Sequence, residues 1–196
     1  MCYSLIVLNK ENITDFAKER NELLKKAKND WVFFVDSDEI VTNELKDELK
    51  KLKPEKFKAF YIKRENYFLG RYVGTDNIIR LVKKGSGSWR RAVHELYHLV
   101  GGTKAGYLKN CLIHNTAENL HDYIDKINNY STLHVLANKK EGKKSTLFKI
   151  IFYPLFKFIQ TLFKSKHGVF SLMQAFHSFL SWSKLWILQE RTNYRK

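Results

Sequence analysis

Residues 31–39 read WVFFVDSDE, five apolar residues followed by acids at three of the next four positions. A continuous apolar run of this length, bounded by polar residues, is typical of a strand buried on both faces of a sheet. Open α/β sheets bind ligands at the carboxyl ends of their strands. The segment therefore predicts an α/β protein whose functional site includes Asp36 and Asp38.

The composition indicates a folded chain with a substantial core. The 196 residues are 44% hydrophobic and 14% aromatic, which excludes a disordered chain and suits one domain with an appendage. The two cysteines, Cys2 and Cys111, provide neither a disulfide framework nor a metal-binding pattern, as expected in a reducing compartment. No signal peptide is expected, because the first residues lack a basic leader and their apolar run is short.

The positive charge is concentrated near the carboxyl terminus. The chain carries a net charge of +15, and residues 139–196 contribute twelve Lys or Arg against two Glu. Residues 1–138 are nearly balanced, with 23 basic and 18 acidic side chains. We predict a domain boundary at the polar stretch KKEGKKS, which separates domains 1–138 and 139–196. The basic tail is suited to an anionic membrane surface or to nucleic acid.

Hydrophobic periodicity predicts two helices around the acidic segment. The first covers residues 14–29 and has Arg20 on its apolar stripe, where a long basic side chain can extend to the edge of the core. The second covers residues 43–52, with Thr42 as its N-cap.

The remainder of the first domain alternates between strand and helix patterns. Strands are predicted in four segments, FKAFYIKRENYFLG, NIIRLVKK, WRRAVHELYHLV and GYLKNCLIHN. A helix is predicted over residues 118–138, with Leu120, Ile124 and Ile127 facing inward and Tyr130 on the same side.

The tail contains two aromatic helical segments, residues 146–163 and 169–188. Lysines interrupt both segments, and Pro154 is expected to kink the first. Central lysines are costly in a membrane-spanning helix, so we expect helices that lie in the plane of a membrane surface. Packing on the main domain or on another subunit is the alternative, and a spanning helix is a further one.

The acidic segment has the features of a metal-binding motif. Asp36 and Asp38 are two residues apart, so on extended backbone their side chains point the same way. Two convergent carboxylates favour Mg²⁺ or Mn²⁺, which take their other ligands from water and phosphates. Acids that answer a helix dipole are the alternative, which explains Glu39 better than the aspartate pair.

A second group of candidate residues lies between residues 89 and 114. Glu95 is a candidate general base, Trp89 a flat platform for a sugar ring, and His114 a further metal ligand. The alternatives are ordinary ones: a tryptophan in the core and a histidine satisfied by its neighbours.

Four spaced segments together carry a resemblance to a known family: FAKERNELLKKAKNDWVFFVDSDEIV, YIKRENYFLGRYV, IIRLVKKGSGSWRRAVHE and LIHNTAENLHDYIDKINNYS. Over about residues 5–138 the chain resembles family 2 glycosyltransferases of the lipopolysaccharide-core type. The resemblance implies a GT-A-like mixed sheet flanked by helices and inverting transfer from a nucleotide-diphospho-sugar. It also implies a bacterial glycan or glycolipid acceptor.

The resemblance also implies roles for individual residues. Glu95 corresponds to the base, and the donor is bound by Arg20, Asn21, Asp36 and Asp38. The acceptor side is formed by Arg80, Trp89 and His94, and the Mg²⁺ or Mn²⁺ ligands are Asp36, Asp38 and His114.

One departure from the family concerns the beginning of the chain. Members carry a further segment with the first strands of the nucleotide-binding region, and we expect this chain to lack it. A catalytically incomplete, membrane-associated remnant is therefore the alternative to an active transferase. In either case we expect a cytoplasmic protein bound peripherally to the inner face of the bacterial cell membrane.

Two other classes fit the sequence less well. A haloacid-dehalogenase-like phosphatase also has a strand ending in D-x-D, but that fold needs a downstream lysine and a second acidic pair after a strand. The segments after residue 57 offer strands with V-H-E instead. A nucleic-acid-binding module is not expected, because the basic residues are interleaved with large apolar faces.

Overall fold

The computed structural model describes residues 1–9 and 13–193, which form eight strands and five helices. In chain order these are β1 (Ser4–Leu8), α1 (Phe16–Lys26), β2 (Trp31–Asp36), β3 (Glu39–Val41), α2 (Asn43–Lys51), β4 (Phe57–Phe68), β5 (Arg71–Lys83), β6 (Gly87–Arg90), β7 (Leu96–Leu99), β8 (Lys104–Ala117), α3 (Leu120–Lys140), α4 (Leu147–Ser165) and α5 (Gly168–Asn193).

Six strands form one mixed sheet in the order β1-β2-β5-β4-β8-β3. Strand β1 pairs with β2 in parallel, whereas β2 and β5, and likewise β3 and β8, are antiparallel. Strands β6 and β7 form a separate antiparallel hairpin. This mixed sheet with flanking helices confirms the predicted α/β class and is consistent with a GT-A-like fold.

Strand β2 is buried along its whole length, as its sequence predicts. Its side chains alternate between two cores, because successive residues of a strand face opposite sides of the sheet. Phe33 and Val35 pack in a cluster with Leu45 and Leu49 of α2. Phe34 packs on the other side, in a cluster with residues of α1 and the β6–β7 hairpin. Burial of each large apolar side chain contributes about 1.5–3 kcal/mol.

The predicted helix starts in the first part of the chain are confirmed within two residues. Asp15 caps α1 by accepting a hydrogen bond from the Lys18 backbone N–H at 2.9 Å. Thr42 caps α2 by accepting from the Leu45 backbone N–H at 3.2 Å. Each cap satisfies a backbone donor that the helix leaves unpaired, which is worth about 1 kcal/mol.

The chain divides into two compact units. The first comprises residues 1–67 and 75–116, and the second comprises residues 68–74 and 117–196. The first unit contains the acidic segment, and the second contains α3, α4 and α5. The sequence-based domain boundary at residue 139 lies near the end of α3 and stays a prediction.

Helix α3 faces inward along a different stripe from the predicted one. Tyr123, Ile127 and Val135 are buried, whereas Leu120 and Ile124 are 41% and 39% exposed. The buried residues of this stripe are four residues apart and include Ser131. Because serine is polar, the stripe does not stand out as an apolar pattern in the sequence. The prediction was right for Ile127 and wrong for Leu120 and Ile124.

The two tail helices form where the sequence predicts them. Helices α4 and α5 pack on one another, with the Tyr153 ring edge-on to the Trp182 ring at 5.2 Å between centroids. Among the described residues, none of the helices combines the length and hydropathy needed to cross a bilayer.

Candidate active site

The acidic segment lies where β2 ends. Asp36 is the last residue of β2 and is 5% exposed, and Ser37 and Asp38 form the turn into β3. The Ser37 backbone N–H donates to the Leu8 carbonyl at 3.1 Å, which fixes the turn against the neighbouring strand end. The two aspartates therefore stand at the carboxyl edge of two adjacent parallel strands, a common location for ligand sites in α/β sheets.

Two buried arginines bind the Asp36 carboxylate. Arg20 Nη2 of α1 lies 2.5 Å from Oδ1, and Arg80 Nη2 of β5 lies 2.7 Å from Oδ2. Arg20 is fully buried and Arg80 is 5% exposed. A buried carboxylate is tolerated only when its charge is compensated, and here each oxygen has its own guanidinium partner.

Arg20 also connects the acidic segment to the distant Glu95. Its Nε donates to Glu95 Oε1 at 2.9 Å, and its guanidinium carbon lies 5.1 Å from the Trp89 ring centroid and 5.5 Å from that of Phe34. Arg20 thus lies on the predicted apolar stripe of α1, and its guanidinium is held between two carboxylates and two aromatic rings. Its side chain does not extend to the edge of the core.

The other carboxylates near Asp36 are paired in the same way. Arg80 Nη2 also donates to Glu39 Oε1 at 2.8 Å, and Arg64 Nη1 donates to the same oxygen at 3.0 Å. Arg64 additionally binds Asp76 with two hydrogen bonds, of 3.0 and 2.7 Å. Three arginines and four carboxylates thus alternate in what we call the charge ladder: Asp76, Arg64, Glu39, Arg80, Asp36, Arg20 and Glu95.

The charge ladder shifts the pKa of Glu39 and of Arg80. Burial by itself raises the pKa of Glu39, but Arg80 and the backbone N–H of Asp36 lower that pKa below its ordinary value of 4.5. Burial lowers the pKa of Arg80, and the attraction of Asp36 and Glu39 outweighs that effect and raises it. Glu39 and Arg80 are therefore both charged at neutral pH.

Asp38 and His114 form the second part of the site. His114 Nε2 lies 3.2 Å from Asp38 Oδ2, and its Nδ1 lies 2.7 Å from Asn66 Oδ1. The pairing of β3 with β8 brings these residues together, since Glu39 is opposite His114. A ring N–H bound to an amide oxygen fixes the imidazole and directs the other nitrogen toward the carboxylate.

The fit of a divalent cation is partial. Asp38 Oδ2 and His114 Nε2 lie 3.2 Å apart, whereas both Asp36 oxygens bind arginines. Within residues 1–9 and 13–193 no group of three or more His, Cys, Asp or Glu side chains is placed to hold a metal ion. An ion that takes most of its ligands from water and phosphate suits such a pair.

Trp89 and Asn21 stabilise the wall of the site. Asn21 Nδ2 donates to the Trp89 carbonyl and its Oδ1 accepts from the Trp89 N–H, both at 2.9 Å. The Trp89 ring is 4% exposed and packs against Phe34 and Tyr97. It therefore forms no open platform for a sugar ring, and an effect on acceptor binding would act through its neighbours.

The loop that carries Glu95 has strained backbone. Arg91 and His94 have φ angles of 74° and 52°, a region that non-glycine residues rarely occupy. The Ala92 carbonyl accepts a hydrogen bond from the Phe16 N–H at 2.9 Å, which ties the loop to α1. Backbone strain of this kind concentrates at functional sites. Of the three residues predicted on the acceptor side, His94 is exposed to solvent, whereas Arg80 and Trp89 are buried.

Three further residues of the site, Arg64, Asn66 and Asp76, were not predicted from the sequence. Arg64 and Asn66 are two residues apart on β4 and so share a face of the sheet. The available signal was the run of four polar residues, 63–66, in the middle of β4.

The fold defines the chain as an α/β protein with a mixed sheet that is consistent with a GT-A-like fold, and a candidate acidic site lies at the carboxyl edge of that sheet. Comparison with known proteins agrees with this class. No family model matches the chain. It is 25% identical over 163 residues to a protein of Rhizobium meliloti named lipopolysaccharide core biosynthesis glycosyltransferase LpsC, over 76% of this chain and 58% of the relative.

Two further relatives come from Rickettsia typhi and Rickettsia prowazekii, and both are named uncharacterized glycosyltransferases. Each is 25% identical and matches 80% of this chain and 62% of its own length. The chain thus spans about 60% of the length of these relatives. The relatives confirm the predicted resemblance to glycosyltransferases at a coarse level.

Proposed function

We propose that the chain is a family 2 glycosyltransferase, or the corresponding part of one. It moves a sugar with inversion from a nucleotide-diphospho-sugar to an acceptor hydroxyl of lipopolysaccharide core or a related bacterial surface glycan. The observation that carries the proposal is the double contact of Arg20, which joins the acidic segment to Glu95. Arg20 thereby joins Asp36, which the resemblance assigns to the donor, to Glu95, which it assigns to the base.

In this proposal each part of the site has a separate task. Glu95 accepts the proton of the attacking hydroxyl, and its 14% exposed side chain retains access to an acceptor. Asp38 and His114 bind Mg²⁺ or Mn²⁺, which when bound neutralises charge that develops on the leaving nucleoside diphosphate. Asp36, Arg20 and Arg80 keep these groups in place from inside the protein, since their own charges are already paired.

The proposal assigns Arg20 and Asn21 an indirect role in donor binding. Neither needs to touch the nucleotide: Arg20 orients Asp36 and Glu95, and Asn21 holds the Trp89 backbone. Arg80 likewise stabilises the site through its contacts with Asp36 and Glu39, whereas His94 is the acceptor-side residue at the surface.

The experiment that tests the proposal measures ligand-dependent stabilisation and product release. Mn²⁺ together with a nucleoside diphosphate should raise the melting temperature, and a ligand at 100 times its Kd stabilises by about 2.7 kcal/mol. A panel of nucleotide-sugars, assayed for released nucleoside diphosphate, then identifies the donor. Asp38→Asn should remove the Mn²⁺-dependent increase, and Asp47→Asn, at an exposed acid on α2, is the matched control.

Two results would contradict parts of the proposal. An Mn²⁺-dependent increase that survives Asp38→Asn would exclude Asp38 as a ligand. If no nucleoside diphosphate stabilises the folded chain and no donor is consumed, the chain by itself is catalytically incomplete, which is the alternative predicted from its sequence.

A further inference from the structure

Helix α4 directs most of its large apolar side chains outward. Thr161 is its only buried residue. Ten apolar or aromatic side chains of this 19-residue helix are at least 37% exposed, and Phe163 reaches 80%. They are Leu147, Phe148, Ile151, Phe152, Tyr153, Leu155, Phe156, Ile159, Leu162 and Phe163. Folded proteins rarely leave so large a contiguous apolar surface in water unless it binds something.

The apolar side chains of α4 form one face. At about 100° of rotation per residue, six of them lie within an arc roughly 100° wide that contains no charged residue. These six form what we call the α4 face: Phe148, Phe152, Leu155, Phe156, Ile159 and Phe163. The lysines of the helix, Lys149, Lys157 and Lys164, lie within an adjacent arc of roughly 80° along one side.

A shallow hollow adjoins the α4 face. It has a volume of about 390 Å³ and is lined by Tyr153, Phe156, Lys157, Gln160 and Ser178. An ammonium, an amide and a hydroxyl group thus stand next to aromatic rings. Hydrogen-bond donors with a positive charge at the border of an apolar surface suit a phosphate that is attached to hydrocarbon chains.

The charges on α4 favour a membrane over a second copy of the chain. Helix α4 contains no acidic residue, so a symmetric dimer through the α4 face would give its lysine row no partner of opposite charge on the α4 of the other copy. An anionic bilayer instead attracts the lysines while it accepts the apolar side chains. Residues 139–196, with twelve basic and two acidic side chains, reinforce this preference.

We infer that the α4 face lies in the surface of an anionic phospholipid bilayer, with α4 parallel to the membrane plane. Phe156, Ile159 and Phe163 enter the hydrocarbon boundary, and Lys157 and Lys164 bind lipid phosphates beside it. The inference concerns the second unit alone and does not depend on the proposed transferase activity.

Vesicle binding of the full chain tests this inference. Sedimentation with vesicles of phosphatidylglycerol and phosphatidylcholine should be strong, and it should weaken with phosphatidylcholine alone or at high salt. Phe156→Ser with Phe163→Ser removes apolar area without changing charge and should weaken binding about tenfold or more. The matched control, Leu96→Ser with Val100→Ser, changes two exposed apolar residues of the first unit and should leave binding unchanged.

The lysines are tested in the same way. Lys157→Gln with Lys164→Gln should weaken binding to anionic vesicles by about tenfold or more and reduce its salt dependence. Lys51→Gln with Lys53→Gln changes the net charge equally in the first unit and should have little effect. Because all four lysines are exposed, the variants should fold, and circular dichroism checks this.

A tryptophan in the α4 face gives an independent measurement. In Phe163→Trp the added fluorescence should shift to the blue on anionic vesicles and be quenched by brominated lipid chains. The inference would be overturned if the chain did not bind vesicles or if the Phe156→Ser/Phe163→Ser variant bound them as tightly as the wild type. It would also be overturned if brominated lipid chains did not quench the added tryptophan. It would also be overturned by a dimer in light scattering that the same serine variant dissociates and that binds no vesicles.

Discussion

Replacing Arg80 by methionine tests whether the charge ladder stabilises the first unit. The substitution keeps a long apolar stem but removes the guanidinium that binds Asp36 at 2.7 Å and Glu39 at 2.8 Å. Loss of one partner from a buried ion pair costs about 3–5 kcal/mol. Asp36 keeps Arg20 and Glu39 keeps Arg64, so we expect the lower end, about 3 kcal/mol.

The pH dependence of this loss identifies its cause. In the folded protein, burial raises the pKa of Glu39, but the opposing effect led by Arg80 is larger, so the pKa lies below its ordinary value of 4.5. The contribution of Glu39 to stability is therefore present above the unfolded pKa. That contribution is lost as the pH falls through the folded pKa. The stability difference between wild type and Arg80→Met should therefore be largest at neutral pH and should narrow below about pH 4.5.

Thermal unfolding followed by circular dichroism measures the difference. For a chain of this size, about 3 kcal/mol corresponds to a decrease in melting temperature of roughly 6–12 °C. Lys50→Met is the matched control, because Lys50 forms an exposed ion pair with Asp47 and its loss should leave the melting temperature unchanged. A loss for Arg80→Met that stays constant or widens toward acid pH would refute the electrostatic reasoning.

Three further predictions concern packing and ionisation. Gly87→Ala should destabilise by about 1–3 kcal/mol, since its Cβ would overlap a backbone oxygen of β7, whereas Gly101→Ala has open space and should be neutral in urea unfolding. Leu49→Ala, at a fully buried position, should cost about 2–5 kcal/mol, and Leu147→Ala, at an exposed one, less than about 0.5 in the same assay. Burial raises the pKa of Tyr123 from 10.0 to about 12 in the folded protein. The contribution of the neutral Tyr123 side chain to stability should therefore be lost as the pH rises from 10.0 toward 12. Ultraviolet absorbance should show late tyrosinate formation, and Tyr123→Phe should reduce it by one tyrosine, since burial also raises the pKa of Tyr97. A late step that Tyr123→Phe leaves unchanged would contradict the burial of Tyr123.

The sequence was sufficient for the main elements of the first unit. The apolar run of β2 and the Thr42 cap depend on local rules, and both were predicted correctly. The strands β1 and β3 were not predicted, because β1 has five residues and β3 three, too few for a period to show. The strand order was also beyond the sequence, since it depends on pairings between distant segments.

The candidate site was only partly predictable for the same reason. Asp36 and Asp38 were located by their position after a buried strand, but the partners of Asp36 lie 16 and 44 residues away along the chain. No local pattern indicates that Arg20 and Arg80 occupy both of its oxygens. The distinction between an open metal ligand and a buried, fully paired carboxylate therefore required the three-dimensional structure.

The β4–β5 hairpin has a consequence for dissecting this protein. Its tip, residues 68–74, belongs to the second unit, while both of its strands are otherwise part of the first. The polypeptide therefore passes between the units at three places, after residues 67, 74 and 116. Phe68, whose ring lies 4.9 Å from that of Tyr123, would lose this partner in a protein shortened after residue 116. A cut there would leave a core phenylalanine in water and produce an aggregation-prone piece, so point substitutions are the sounder way to separate the roles of the two units.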